Sequence, residues 1–340
     1  MTTACVAGGA GYIGGELIRL LLGHPRVEFA GASSATLAGR RIDGAHPNLR
    51  GLTDASFTEP GRLPRCDVLF TAAPHTRAMA AVREHLDTGA VVIDLSGDFR
   101  LRDPGEYERY YGVPHTEPEL LDGFVSGLPE LHRAEIATAD RISVPGCMAT
   151  AAILALHPLV RSGLAVGEPR VDARTGSSGS GASAAHNTHA ERSGALRVYA
   201  PLGHRHEAEI RQALGRPVRM TVTGIGAVRG VQVLCWTRLA PGAGPREVRA
   251  AYRTRYAAEP FVRVVAARRG PHRLPDPKIL AGANFCDVGF AADEAGGEVL
   301  AVAALDNLVK GGAGNAVQCM NLRLGLPERS GLEFSGLHPV

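Results

Sequence analysis

Three glycines at intervals of three, Gly8, Gly11 and Gly14, stand between a short apolar stretch, Ala4-Cys5-Val6-Ala7, and a run of helix formers from Glu16 to Leu22. Another strand-like stretch follows over residues 27–32. Strand, glycine turn, helix and strand in this order predict a βαβ unit, and with it a parallel sheet. Glycine lets a ligand approach the backbone closely, and a helix N-terminus directs unpaired amides at an anion. The turn therefore predicts a site for a dinucleotide pyrophosphate. Where the second strand ends, an acidic residue commonly meets a free ribose 2′-hydroxyl; this chain has Ser33-Ser34, followed by Arg40 and Arg41. Small hydroxyls and guanidinium groups suit a 2′-phosphate, so NADP is the expected cofactor.

Residues 67–74 and 91–96 read as further strands of the same sheet, flanking a helical stretch near residues 77–88. Both end in small or polar residues, where a doubly wound sheet binds its ligand. Later the pattern changes. β-rich stretches at residues 219–223, 231–237, 261–265, 287–290 and 299–303 follow one another with few helices between. They predict a mostly antiparallel sheet in an α+β domain. Residues 316–324 read as a helix that returns to the first domain. At 340 residues the chain is long for one core. The expected architecture is an α/β Rossmann domain over residues 1–146 and 308–340, and an α+β catalytic and dimerisation domain over residues 147–307.

Composition sets the class. A net charge of +3 and a hydrophobic fraction of 45% describe an ordinary soluble protein and call for neither nucleic acid nor a membrane. The start of the chain has no basic, apolar leader pattern, and six cysteines lie scattered without CxxC spacing. They are expected as free thiols in a cytoplasmic protein.

One of these cysteines carries chemistry. Cys147 follows Pro145-Gly146 and opens an apolar, helix-forming run, Ala151-Ala152-Ile153-Leu154-Ala155-Leu156. A thiol in the first turn of a helix feels the positive end of the macrodipole, which favours thiolate. A reactive thiol beside a nicotinamide site suggests attack on an acyl carbon, a thioester, and reduction by hydride to an aldehyde. Such chemistry asks for an acid/base. His204 and His206 alternate in Gly203-His204-Arg205-His206-Glu207-Ala208-Glu209 and, if that stretch is extended, share one face. A metal pair is the competing role for them, but no third ligand stands at characteristic spacing.

Taken together, these segments resemble the N-acetyl-gamma-glutamyl-phosphate reductase family and its sister branch, which reduces the 6-phosphate of carrier-bound 2-aminoadipate in lysine-type biosynthesis. The resemblance runs from Gly8 to about Leu324. It includes Asp94-Leu95-Ser96-Gly97-Asp98-Phe99-Arg100-Leu101, Pro145-Gly146-Cys147, Gly176-Ser177-Ser178-Gly179, His204-Arg205-His206 and Lys310-Gly311-Gly312-Ala313-Gly314. It implies a semialdehyde dehydrogenase-like fold, Cys147 as nucleophile and His204 as acid/base, with His206 beside it. It also implies a cofactor site drawn from Gly8, Gly11, Tyr12, Ile13, Gly14, Ser33, Ser34, Arg40, Arg41, Pro74, Ser96, Ser177, Gly179 and Asn315, with the amides near Ser177 aiding the departing phosphate. Met148-Ala149-Thr150 departs from the Tyr-Pro-Thr common in the arginine branch, and Arg197-Val198-Tyr199-Ala200-Pro201-Leu202-Gly203 looks like the aminoadipyl branch. The expected substrate is thus 2-aminoadipyl 6-phosphate on a small acidic, LysW-like carrier, and a homo-oligomer, dimer or tetramer, is expected. Arg192, Arg197, Arg268, Arg269 and Arg273 are candidates for the carrier surface. The arginine-branch reductase, an aspartyl-phosphate reductase and a non-catalytic dinucleotide sensor are the alternatives.

Overall fold

A computed structural model describes residues 2–182, 189–293 and 297–339. The chain forms two compact units, Met1–Pro145 with Gly181–Ser183 and Gly312–Glu333, and Gly146–Ser180 with Ala184–Gly311 and Phe334–Val340. The last residues thus group with the second unit, not with the dinucleotide-binding domain in which they were expected.

The first unit is a parallel sheet fed by helical crossovers. In chain order it comprises β1 (Thr2–Ala7), α1 (Tyr12–Leu22), β2 (Val27–Ser33), α2 (Ile42–Ala45), β3 (Val68–Thr71), α3 (Ala78–Asp87), β4 (Val91–Asp94), α4 (Pro104–Tyr111), β5 (Val125–Ser126), α5 (Pro129–Ile136) and β6 (Arg141–Ser143). The strand order is β2-β1-β3-β4-β6-β5, and every pairing is parallel. Strands β3 and β4 are buried along their whole length, the signature of a sheet covered on both faces. The order reverses between β1 and β3, the point where an open sheet of this kind offers its ligand crevice.

The second unit begins with α6 (Cys147–Arg161), followed by β7 (Ala165–Thr175), α7 (His189–Arg192), β8 (Arg197–Ala200), α8 (His206–Leu214), β9 (Arg219–Gly224), β10 (Val231–Leu239), α9 (Pro245–Tyr256), β11 (Val262–Val264), β12 (Cys286–Ala292) and β13 (Glu298–Leu305). Its sheet runs β11-β12-β13-β10-β7-β9-β8. Pairings β11-β12 and β7-β9 are parallel, and the rest are antiparallel. Helix α6 packs on this sheet and buries Ile153, Leu154, Leu156 and Leu159, each worth about 1.5–3 kcal/mol when fully removed from water. The Tyr256 hydroxyl donates to Leu154 O at 2.7 Å and ties α9 to it. The chain then returns to the first unit as α10 (Gly314–Arg323). Among the described residues no helix is long and apolar enough to cross a membrane.

Candidate active site

In the first unit the glycine turn joins β1 to α1. Gly8 has φ +85°, and a side chain there would meet Ala72 O at 2.8 Å. A side chain on Gly14 would lie 2.5 Å from Gly8 O, so both positions need glycine for the turn to close. The Gly8 and Gly9 amides donate to Ser33 O at 3.1 and 2.8 Å, which fastens the turn to the end of β2. Gly11 is different. It caps α1 without a side-chain bond, and a side chain on it would meet nothing nearer than 4.0 Å. That leaves first-turn amides and open space for an anion, so the turn fits a dinucleotide pyrophosphate. Tyr12 is exposed and Ile13 half-buried beside it, and Pro74 is exposed just past Ala72.

The residues expected around a 2′-phosphate divide. Ser34 Oγ accepts from the amides of Thr36 and Leu37, at 3.3 and 3.1 Å, so it holds the turn after β2. Arg41 is paired with Asp43 and Asp54, at 2.7 and 2.8 Å. Arg40 is exposed and forms no ion pair among the described residues. Buried Ser96 donates to Asp94 at 2.8 Å and accepts from the Asp98 amide at 3.0 Å, so its hydroxyl is used inside the chain. Burial pushes Asp94 up to about 6 although Thr71 and Ser96 both donate to it. Asp98, missed in the sequence, accepts from the Thr76 and Met79 amides and the Tyr107 hydroxyl, fixing the start of α3. Asn315 Nδ2 donates to Gly127 O at 2.6 Å within the same unit.

In the second unit Cys147 is the first residue of α6 and is half-buried, whereas Met148, Ala149 and Thr150 behind it are buried. Gly146 caps the helix without a side chain of its own. The Gly146 amide donates to Glu209 Oε2 at 2.7 Å, and a side chain on Gly146 would lie 2.1 Å from His206 Nε2. Glu209 Oε1 lies 3.7 Å from the same nitrogen. Both His206 and Glu209 are buried. One carboxylate thus holds the peptide before the thiol and faces the histidine packed on that peptide. A side chain on Gly311 would meet Cys147 Cβ at 2.5 Å, so glycine there keeps the thiol's surroundings open.

The histidine segment is not extended. Arg205 has φ −52° and ψ −29°, already helical, and α8 starts at His206. The two rings still meet, edge to face at 4.6 Å, because the chain turns into the helix between them and the His206 amide donates to His204 Nδ1 at 3.2 Å. His204 is the outer ring, half-buried and 6.4 Å from that of Tyr199. Burial, helped by Arg205, lowers His204 to about 4. Partial burial of a side chain that still reaches solvent, with negative charge at Cys147, pushes Tyr199 up to about 12. Glu209, the residue sequence reasoning missed, carried one signal: it stands three residues after His206 in a helix, hence on the same face.

The amides expected to bind the departing phosphate are already used. Those of Ser177, Ser178 and Gly179 donate to Ala227 O, Val228 O and Gly176 O at 2.9, 3.0 and 3.2 Å. This loop is braced further by Asn307, which donates to Ser178 Oγ at 3.0 Å, and by Ser177 Oγ against His189 Nδ1 at 2.9 Å.

Comparison with known proteins matches residues 3–139 to the semialdehyde dehydrogenase NAD binding domain and residues 147–307 to the semialdehyde dehydrogenase dimerisation domain. A LysW-L-2-aminoadipate 6-phosphate reductase of Deinococcus radiodurans is 46% identical over 99% of this chain and 98% of its own. A putative LysW-L-2-aminoadipate/LysW-L-glutamate phosphate reductase of Cenarchaeum symbiosum is 45% identical over 98% and 99%. Among solved structures, aspartate semialdehyde dehydrogenase II of Vibrio cholerae superposes with a TM-score of 0.73 at 14% identity, over 96% of this chain and 98% of its own. The Candida albicans enzyme with NADP gives 0.71 at 15% identity, over 95% and 98%.

Proposed function

Since the chain belongs to the semialdehyde dehydrogenase family and is an oxidoreductase of it, we propose that it reduces carrier-linked 2-aminoadipyl 6-phosphate to the semialdehyde with NADPH, releasing phosphate. The observation that carries the site assignment is the arrangement around Gly146, with Cys147 opening α6, Glu209 on the Gly146 amide and His206 packed against Gly146. The choice of substrate is supported by the names and the full-length similarity of the relatives.

Cys147 is the nucleophile and His206 takes its proton. The Sγ–acyl bond forms as the bond from the acyl carbon to the phosphate oxygen breaks, leaving a thioester and free phosphate. A reduced nicotinamide dinucleotide, whose pyrophosphate the turn from Gly8 to Gly14 would hold, would supply the hydride that reduces the thioester carbon. His206 returns its proton to the resulting oxyanion and accepts it again as the C–S bond breaks, so aldehyde leaves and Cys147 is thiolate once more. Glu209 orients His206 and stabilises its charged form. His204 carries a proton poorly at neutral pH because it is held near 4, so it serves as the outer wall of the site. Arg40, exposed and without an ion pair among the described residues, supports NADP over NAD. The match of the second unit to a dimerisation domain supports a homo-oligomer.

The test is the reverse reaction with NADP and phosphate, offering carrier-linked aminoadipate semialdehyde, carrier-linked glutamate semialdehyde and free N-acetylglutamate semialdehyde. The carrier-linked six-carbon aldehyde is expected to be turned over best. Efficient use of the free acetylated aldehyde, with no gain from a carrier, would assign the chain to the arginine branch instead.

A further inference from the structure

Strand β8 is the outermost strand of the seven-stranded sheet, and among the described residues nothing pairs with its far edge. Around it, Leu196, Val198, Tyr199 and Leu202 are 78%, 55%, 43% and 72% exposed. An uncovered edge lined with large apolar side chains is a template for another extended chain, and proteins normally blunt such edges. Here the edge runs into the site. The pairing register slips between Val198 and Ala200, a bulge that leaves Tyr199 unpaired with β9 and re-aims its side chain. The Tyr199 ring then meets that of His204, which meets His206. The charge is one-sided as well. Residues 189–205 contain three arginines, Arg192, Arg197 and Arg205, against one acid, Glu191. Arg192 is buried with its guanidinium on Thr175 O and Ser180 Oγ, and no carboxylate pairs with it among the described residues.

We propose that the β8 edge, with Leu196, Val198 and Leu202, seats the extended acidic segment by which a carrier protein presents its acyl group to Cys147. This rests on the carrier-linked substrate proposed above. An acyl phosphate borne on a protein reaches a half-buried thiol only through a narrow, extended tether. The four residues of β8 span about 13 Å, enough to hold about four residues of such a tether by backbone pairing. Exposed apolar side chains give its alternate residues a seat, and the exposed Arg197 on the strand attracts its acids.

The experiment compares wild type with the double variant Leu196→Asp, Val198→Asp, in the reverse direction, on carrier-linked and free semialdehydes. Cofactor titration and alkylation of Cys147 check that the variant is folded. The expected result is a KM for the carrier-linked aldehyde raised about tenfold, the size expected when interface anchors are lost. The kcat stays near wild type, and the kinetics on the free aldehyde do not move. An unchanged KM for the carrier-linked aldehyde overturns the proposal, as does an equal loss on both substrates. Loss of oligomeric state in the variant overturns it too, by making the edge an interface between copies. If wild type itself gains nothing from the carrier, the proposed substrate fails and the edge proposal falls with it. Preference in wild type without any loss in the variant refutes the edge alone.

Discussion

Cys147 and His206 divide the chemistry at the scale of single residues. Cys147→Ser is expected to abolish turnover while leaving NADPH binding intact, because an alkoxide is far harder to generate at neutral pH than a thiolate; activity and cofactor titration on one preparation check it. His206→Asn is expected to lower kcat by roughly 10²–10⁴-fold, the range for a lost acid/base. His204→Asn should cost much less, and the opposite order in a kcat comparison would return the role to His204. His204 also leaves a signature in stability. Its folded value near 4 lies below the ordinary value of 6.5, so the unfolded chain takes up the proton first. Its contribution is complete above about pH 6.5 and is lost as pH falls towards about 4, by at most roughly 3–4 kcal/mol. Urea unfolding should therefore show His204→Asn gaining on wild type at the acidic end of that window; a constant difference between the two proteins contradicts a neutral His204. The arginines separate in the same way. Arg40→Ala should weaken NADPH by about 10- to 150-fold relative to NADH, the worth of a charge-assisted contact. Arg41 already has Asp43 and Asp54, so Arg41→Ala should discriminate little between the cofactors.

Elements add what single residues lack, namely a fixed place to act from. Gly14→Ala is expected to force the β1–α1 turn open, since the added methyl would sit 2.5 Å from Gly8 O. Cofactor affinity should fall and stability drop by about 1–3 kcal/mol, while iodoacetamide still alkylates Cys147 at the wild-type rate. Loss of thiol reactivity in that variant would mean a global rather than a local fault. Legibility in the sequence followed the same division. Strands β3 and β4 were readable because a strand buried on both faces is a continuous apolar run. Strand β7 was not readable, since Gly167, Glu168 and Pro169 interrupt its alternation near the start, leaving only Val171, Ala173 and Thr175 as a short buried row between the charged Arg170, Asp172 and Arg174. Helix α9 hid for another reason. Only Val248, Tyr252 and Tyr256 of its twelve residues are buried, a stripe one side chain wide among arginines. At the site, the thiol and both histidines were visible as residue types. Glu209 was not, because its bond to the Gly146 amide joins positions 63 residues apart that only the packing of α8 on α6 brings together. The extended form assumed for His204 to His206 failed because Arg205 already adopts helical dihedrals.

Charge is the property that belongs to the molecule as a whole. The chain has 37 basic and 34 acidic residues, a net charge of only +3, so no long-range field from the whole surface would gather an acidic partner. Yet residues 189–205, around β8, hold a net +2 with histidines neutral, so any electrostatic attraction must be local to that edge. Local attraction between exposed charges is screened beyond about 8 Å at physiological ionic strength and about 3 Å at 1 M. Raising salt from about 0.05 to about 0.5 M should therefore raise KM for a carrier-linked aldehyde several-fold while kcat stays constant, because the thiol and His206 act over shorter distances inside a buried site. A free N-acylated aldehyde has no acidic tether and should show little change in KM over the same range. The comparison is made with NADP saturating at every salt, since Arg40 also faces water and cofactor binding weakens on its own account. Parallel salt curves for the two aldehydes would mean that the carrier contributes no electrostatic contact of its own.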